Sequence, residues 1–289
     1  MAGSSSAIAH GAATLVNAIA LGKGAAFGVD LWTKSMVELL EEPHVIEVEI
    51  NPDKYESTLL VEKTLMCVLK RFHLQDRFGA KIKTVTNIPI ARGLKSSSTA
   101  ANAVALATIA ALDKKIDDLE LVKIGVQAAF DAHVTITGAF DDACASYFGG
   151  AVATDNEKME VVKRFVLPED LIVLFHVPPK KAYTVDSDVE RLSTVRPLVQ
   201  IAFDKILEGK SWEALTLNGL IYSSVSNQNP AIAIDALAAG AVAAGLCGKG
   251  PAITTVVSKD RVDDVRVVLQ KYEGEILEAK LNFEKAKVL

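Results

Sequence analysis

The sequence predicts an α+β protein of two domains that share a cleft, and three observations lead there. At 289 residues the chain is long for one compact domain and suits two. Half of its residues are hydrophobic but only 6% are aromatic, and a mix dominated by Ala, Val, Ile and Leu favours helices packed on sheets over an all-β sandwich. Periods of two and of 3.6 residues also alternate along the chain, and in the second half their order is β, helices, ββ, α, β.

Small and apolar residues alternate at 6–9, 24–31 and 44–50, which read as strands joined by glycine turns. The period lengthens between 52 and 73, where Leu59, Leu60, Met66 and Cys67 suit one face of a helix begun near Asn51, Pro52 and Asp53. Alternation returns at 80–90. A polar turn and an Ala-rich helix at 97–112 follow, then helices at 117–130 and 138–147 and a hairpin of 149–153 with 159–165. Charge and turn residues concentrate at 156–168, which predicts domains of 1–160 and 161–289. The second domain reads as a strand at 171–177 stopped by Pro178 and Pro179, and helices at 185–208, 212–227 and 231–244. A strand pair around 248–251 leading into 252–257, a helix at 262–272 and a strand at 274–281 complete it.

Bulk chemistry excludes several classes. A net charge of −5 gives no basic face for nucleic acid. No basic segment precedes a clean apolar core at the N-terminus, so no signal peptide is read. The longest uncharged helical run, 99–112, falls short of the ~20 apolar residues a membrane span needs; a soluble, cytoplasmic protein is expected. Cys67, Cys144 and Cys247 are odd in number and widely spaced, a pattern of buried thiols rather than of disulfides or a zinc site.

Three segments carry chemistry. The first runs from Pro89 through Arg92, Gly93, Leu94, Lys95, Ser96, Ser97, Ser98 and Thr99, between a strand and a helix. Such a turn aims unpaired helix N–H groups at one point, where the helix dipole also favours an anion. Gly93 admits a phosphate without a Cβ in the way, the hydroxyls add donors, and Lys95 adds positive charge. By itself the run also fits an ordinary Ser/Thr helix cap. No Gly-x-x-x-x-Gly-Lys-Ser/Thr motif is present to compete for a nucleotide. The second segment sets Asp141 and Asp142 among small residues at a helix start, with Asp131 upstream; a general base, a metal ligand or a helix cap all fit. The third is the Gly-rich turn containing Gly248, Gly250 and Pro251, alone no more than a tight turn.

Together the three segments resemble the GHMP kinase superfamily (galacto-, homoserine, mevalonate and phosphomevalonate kinases). Its Pro-x-x-x-Gly-Leu-x-Ser-Ser motif is matched by Pro89, Gly93, Leu94, Ser96 and Ser97, and its Gly-x-Gly-Pro by Gly248, Gly250 and Pro251. Asp141 falls where several members carry a catalytic Asp. The segments 9–20 and 22–31 look like the archaeal-type shikimate kinases, a branch unrelated to P-loop shikimate kinases. The Pro-Gly-Lys/Arg and Gly-Glu-His segments that open many relatives have no counterpart here.

This resemblance implies a ribosomal-S5-like N-terminal domain, a ferredoxin-like C-terminal domain, and ATP-dependent phosphorylation of the shikimate 3-hydroxyl with Mg²⁺. It implies ATP across 92–99 with Gly248 and Gly250, Mg²⁺ on Ser97 and Asp131, and Asp141 as base with Lys23 as the basic residue beside it. Asp142 would contact the acceptor. Shikimate's carboxylate calls for a cation; Arg191 and Arg196 are the first choices, then Lys180 and Lys181. A kinase of homoserine or mevalonate, and a silent nucleotide sensor, are the competing readings. A monomer and a homodimer both remain open.

Overall fold

The structure, a computed structural model, describes residues 3–53, 55–181 and 189–289. It contains two sheets. The first has seven strands, β1 (Ser4–Val16), β2 (Lys23–Leu40), β3 (Ile46–Asn51), β4 (Gly79–Thr86), β5 (Ala151–Asp155), β6 (Glu160–Phe165) and β11 (Lys287–Val288), along the path β11-β1-β2-β4-β3. β2 is long enough to branch the sheet: Lys23 to Phe27 pair with β5, and Thr33 to Leu40 pair with β4. The second sheet is β10-β7-β9-β8, from β7 (Leu171–Val177), β8 (Ala243–Leu246), β9 (Ile253–Ser258) and β10 (Glu275–Lys280), all antiparallel. β7 is buried along its whole length, as its unbroken apolar run requires of a central strand.

Helices α1 (Leu59–Arg71), α2 (Ser96–Ala111), α3 (Asp118–Asp131) and α4 (Phe140–Phe148) cover the first sheet. α2 is Ala-rich, and ten of its 16 residues are buried. A helix apolar on nearly every side belongs inside the fold, and α2 packs against β1 and β2 and against α1, α3 and α4. Its first turn therefore opens at the middle of the molecule.

The second sheet carries α5 (Val189–Ser193), α6 (Arg196–Leu207), α7 (Ser211–Val225), α8 (Ala231–Ala238) and α9 (Val262–Leu269). One apolar core runs through both sheets, joining Leu15 and Phe27 to Val173, Phe203, Tyr222 and Val256. β6 ends at Phe165 and β11 returns to the first sheet. We propose a division after residue 165, with the last strand crossing back, in place of one at 160.

Two expected elements differ. The helix expected at 185–208 begins outside the described residues; within them it is broken between Ser193 and Arg196, just before Pro197. The Ala-rich run 231–244 is not one helix. α8 stops at Ala238, Gly240 takes φ +101°, and 243–246 is a strand. Alanine's helix preference of a few tenths of a kcal/mol per residue yields to packing: α7 and β8 touch backbone to backbone, so a Cβ on Gly219 would lie 2.3 Å from Gly245 Cα and 2.6 Å from Leu246 N. Gly219→Ala should therefore lower stability by about 1–3 kcal/mol. Thermal unfolding checks this, and an unchanged Tm would show that the contact carries no such weight.

Candidate active site

The loop before α2 alternates its backbone hand. Ala91, Gly93 and Lys95 have φ of +56°, +85° and +63°, an arrangement that turns successive N–H groups into one concavity suited to an anion. No side chain caps α2. By contrast, Asp117 caps α3 by accepting from Leu119 N–H and Glu120 N–H. The hydroxyl run is thus not an ordinary cap, and the first-turn N–H groups of α2 stay available.

The Gly-rich turn fixes this loop. Ala252 N–H donates to Arg92 O at 3.1 Å, and a Cβ on Gly93 would lie 2.8 Å from Cys247 O and 2.9 Å from Gly250 O. Only glycine lets the two loops meet.

A cavity of about 130 Å³ lies over the start of α2, lined by Gly93, Lys95, Ser96, Ser97, Ser98, Asp141, Asp142 and Lys249. Asn17, Ala18 and Ile19 roof it. α7 holds that roof: Asn218 Oδ1 accepts from Asn17 N–H, and the Tyr222 hydroxyl accepts from Ala20 N–H and donates to Asn17 O. An apolar cleft of about 270 Å³, lined by Leu60, Val61, Thr86, Ile90 and Ala100, shares Ala91, Ser96 and Ser97 with it. A third cavity, lined by Asn156, Glu157, Ser193 and Arg196, shares Ile19, Ile136 and Thr137.

α4 supplies the carboxylates from its first turn. Lys95 Nζ lies 3.0 Å from Asp142 Oδ2, both buried. Burial alone would lower the Lys95 pKa, but the charge of Asp142 beside it turns the net shift upward, so the ammonium stays charged. Burial raises Asp142 as well, and that ammonium opposes the rise. Asp141, 3% exposed, accepts from Asn156 Nδ2 at 2.9 Å. Burial first, then the charge of Asp142, push its pKa up to about 7. Asp142 is the carboxylate paired with the ammonium, and Asp141, which has no such partner among the described ion pairs, is the one placed to exchange a proton near neutrality. Gly24 makes room for it, since a Cβ there would lie 2.3 Å from Asp141 Oδ2.

Several expected residues lie elsewhere. Arg92 donates to Pro178 O at 2.7 Å and so ties the loop before α2 to the end of β7. Leu94 is core. Thr99 spends its hydroxyl on Lys95 O and His10 O. Lys95 reaches the cavity, but Asp142 already balances its charge. Gly248 and Gly250 shape the turn behind the cavity without lining it. Lys23 starts β2 opposite Asp155 and lines none of the three cavities. Asp131 is outside them too: its carboxylate accepts from Gln127 Nε2 and the Cys67 thiol. Arg191 donates to Asn227 Oδ1, and Lys181 pairs with Asp53 and Glu56. Of the four expected cations, Arg196 lines the third cavity. No group of three or more His, Cys, Asp or Glu fit to hold a metal occurs among the described residues.

Sequence reading passed over Thr14, Asn17, Gly24, Asn156 and Lys249. Lys249 carried a signal in its place between Gly248 and Gly250. Thr14, Asn17 and Gly24 lay in the segments 9–20 and 22–31 that carry the resemblance, though nothing there marked them individually; Asn156 had no signal.

Comparison with known proteins agrees with this geometry. Residues 60–150 match the family described as "GHMP kinases N terminal domain". The fold matches a homoserine kinase from Cytophaga hutchinsonii (TM-score 0.76, 18% identity, 99% of this chain and 97% of that one). It also matches a Lactococcus lactis galactokinase complexed with galactose (0.77, 15%, 99% and 95%). The fold is that of the GHMP kinases. In sequence, the chain is 42% identical over 278 residues to a shikimate kinase of Methanosarcina mazei (96% of this chain, 94% of that one) and 41% identical over 253 residues to that of Pyrococcus abyssi (87% and 90%). The chain belongs to the GHMP kinase superfamily, within the family of these archaeal shikimate kinases.

Because the folded Asp141 pKa lies above the ordinary 3.8, the native state holds this proton more tightly than the unfolded chain. Its stabilising contribution is present at acid pH and lost as pH rises through about 7. Asp141→Asn should thus melt above the wild type at about pH 8, by roughly 2–4 °C per kcal/mol relieved, with the gap narrowing as pH falls and closing only below about pH 4. A variant melting below the wild type at the higher pH would contradict a buried charge at this position.

Proposed function

We propose that this protein transfers the terminal phosphoryl group of ATP to the 3-hydroxyl of shikimate. One observation carries the reading: the uncapped amino end of α2 lies between an apolar cleft on one side and a buried, proton-exchanging carboxylate on the other. The cleft suits an adenine base, and the alternating loop with the N–H groups of Ser96, Ser97 and Ser98 suits the phosphates. Asp141 takes the hydroxyl proton as the acceptor oxygen bonds to the γ-phosphorus and the bond to the β–γ bridging oxygen breaks, releasing ADP. With a loose transition state, positioning and charge neutralisation are the main demands on the protein.

The third cavity is the acceptor's place. Arg196 there supplies a cation for a carboxylate, and Asn156, Glu157 and Thr137 supply partners for hydroxyls. The relatives at about 40% identity, each a shikimate kinase, support shikimate as that acceptor.

Mg²⁺ would neutralise phosphate charge. Of its two expected ligands, Ser97 fits, with its place in the cavity lining; Asp131 does not, since its carboxylate is engaged by Gln127 and Cys67. Mg²⁺ keeps several waters and takes phosphate oxygens beside only one or two protein oxygens, and Ser97 would supply one of these. All three thiols are free, and no helix among the described residues is long and apolar enough to cross a membrane. Both features accord with a cytoplasmic enzyme.

Purified protein with ATP and Mg²⁺ should release ADP with shikimate and give no comparable turnover with homoserine or mevalonate. Asp141→Asn should lower kcat by about 10²-fold or more and leave the KM for ATP nearly unchanged. Turnover with another alcohol alone would reassign the acceptor, and a fully active variant would remove Asp141 from the proton transfer.

A further inference from the structure

Asp141 does not hold its own orientation. Its Oδ1 accepts from Asn156 Nδ2 at 2.9 Å, and Asn156, 3% exposed, is held twice more. Its backbone N–H donates to Gly22 O at 2.8 Å, and its side-chain Oδ1 accepts from the fully buried Thr154 hydroxyl at 2.6 Å. The backbone bond already fixes the turn after β5, so the two side-chain bonds are not needed to shape it.

These two bonds have a chemical consequence. A carboxamide can present either its oxygen or its NH₂ group, and an ionised carboxylate can only accept. While the Thr154 hydroxyl donates to the amide oxygen, the NH₂ group is the one turned to Asp141. Without that hydroxyl the amide is free to rotate and place its oxygen against the carboxylate, where only protonated Asp141 could meet it as a donor. Asn156 also lines the acceptor cavity, so it stands beside the proton transfer as well as behind the group that performs it.

We propose that Thr154 and Asn156 form a positioning relay that keeps Asp141 Oδ1 occupied and leaves Oδ2, which lies over Gly24, to take the acceptor's proton. The proposal rests on Asp141 acting as the base. It assigns roles to two residues of the β5–β6 hairpin, neither of which lines the cavity over α2. Thr154 acts wholly through Asn156, and Asn156 acts through Asp141.

A relay that favours the ionised carboxylate has a signature that packing alone lacks, because it sets the pH at which the base becomes available. The charged and titratable groups about Asp141 are Asp142 on its own helix, Lys95 at the start of α2, Lys249 of the Gly-rich turn in the same cavity, Cys144 within α4 and Tyr222 on α7. Burial pushes the Cys144 thiol and the Tyr222 phenol upward, which keeps both neutral. The Lys95–Asp142 pair is left in place by substitutions in the hairpin. A moved pH limb in hairpin variants is then assignable to the lost hydrogen bond.

The test is the pH profile of kcat/KM for shikimate, measured with ATP and Mg²⁺ on the full chain. The wild type should lose activity below about pH 7, as the Asp141 carboxyl takes up its proton. Asn156→Ala should move that acid limb up by about one unit, which costs about tenfold at pH values below the limb and far less above it. The KM for ATP should stay within about twofold. Thr154→Val should move the limb in the same direction by less, and Thr154→Ser, which keeps the hydroxyl, should restore it. Thr154→Val carries the same test if Asn156→Ala fails to fold.

An acid limb present in the wild type and unmoved in both variants, or a loss of rate equal at every pH, would overturn the relay and leave Asp141 as the base. A wild type with no acid limb, together with a fully active Asp141→Asn, would overturn the base assignment and the relay with it.

Discussion

The constraint on which the rest depends is the contact between two glycine-bearing loops at the amino end of α2. The 247–252 turn presses its carbonyls against Gly93, and Ala252 N–H donates to Arg92 O. This contact holds the backbone of 91–95 with alternating positive φ at three positions. Non-glycine residues in that region each cost of order 1 kcal/mol, so Ala91 and Lys95 keep it because their surroundings over-determine it. The return is a helix terminus with its N–H groups neither capped nor bonded within the helix. Since each loop comes from a different part of the chain, the site exists only when the whole molecule is folded.

Charge at the site follows from burial rather than from a surplus of cations. Lys95 reads as a phosphate ligand, yet its ammonium is balanced by Asp142. That pair leaves Asp141 close to a fixed anion in a water-poor setting, which is why its proton is held to about pH 7. A lone buried carboxylate would be a liability, and a lone buried ammonium likewise. Arranged as a pair plus one, they yield a group that can take a proton at neutral pH. The overall charge of −5 says nothing against phosphate binding here, because the backbone N–H groups at the start of α2 face the cavity together with Lys95 and Lys249.

Much of the fold was legible in the sequence. β7 announced itself by its apolar run, α2 by its alanines after a glycine and serine turn, and the β5–β6 hairpin by the strand that reopens after Gly149 and Gly150. The run 231–244 misled because alanine content reports local preference, whereas the approach of Gly219 to Gly245 is set by packing between distant segments. At the site, Gly93, Ser96, Ser97, Asp141 and Asp142 were legible because they sit in compact motifs. Arg92, Leu94 and Thr99 belong to the same motif but serve the loop's own architecture. Asp131 was chosen because it stands where relatives in the resembling family carry a metal-holding Glu, and such a match does not reveal that Gln127, one turn earlier, and Cys67 take up its carboxylate. Asn156 and Thr154 had no sequence signal, since Asn156 matters by touching Asp141 and Thr154 by touching Asn156; Gly24 sat in the 22–31 segment, but nothing there pointed to its place against Asp141.

The central claim, that the amino end of α2 is the phosphate seat, meets its most direct test in a crystal structure of the protein with ADP and Mg²⁺. The account places the diphosphate within hydrogen-bond distance of the Ser96, Ser97 and Ser98 N–H groups, with the base in the cleft bordered by Leu60 and Ile90. A diphosphate bound away from the 91–99 segment, with that segment's N–H groups facing solvent, would contradict it.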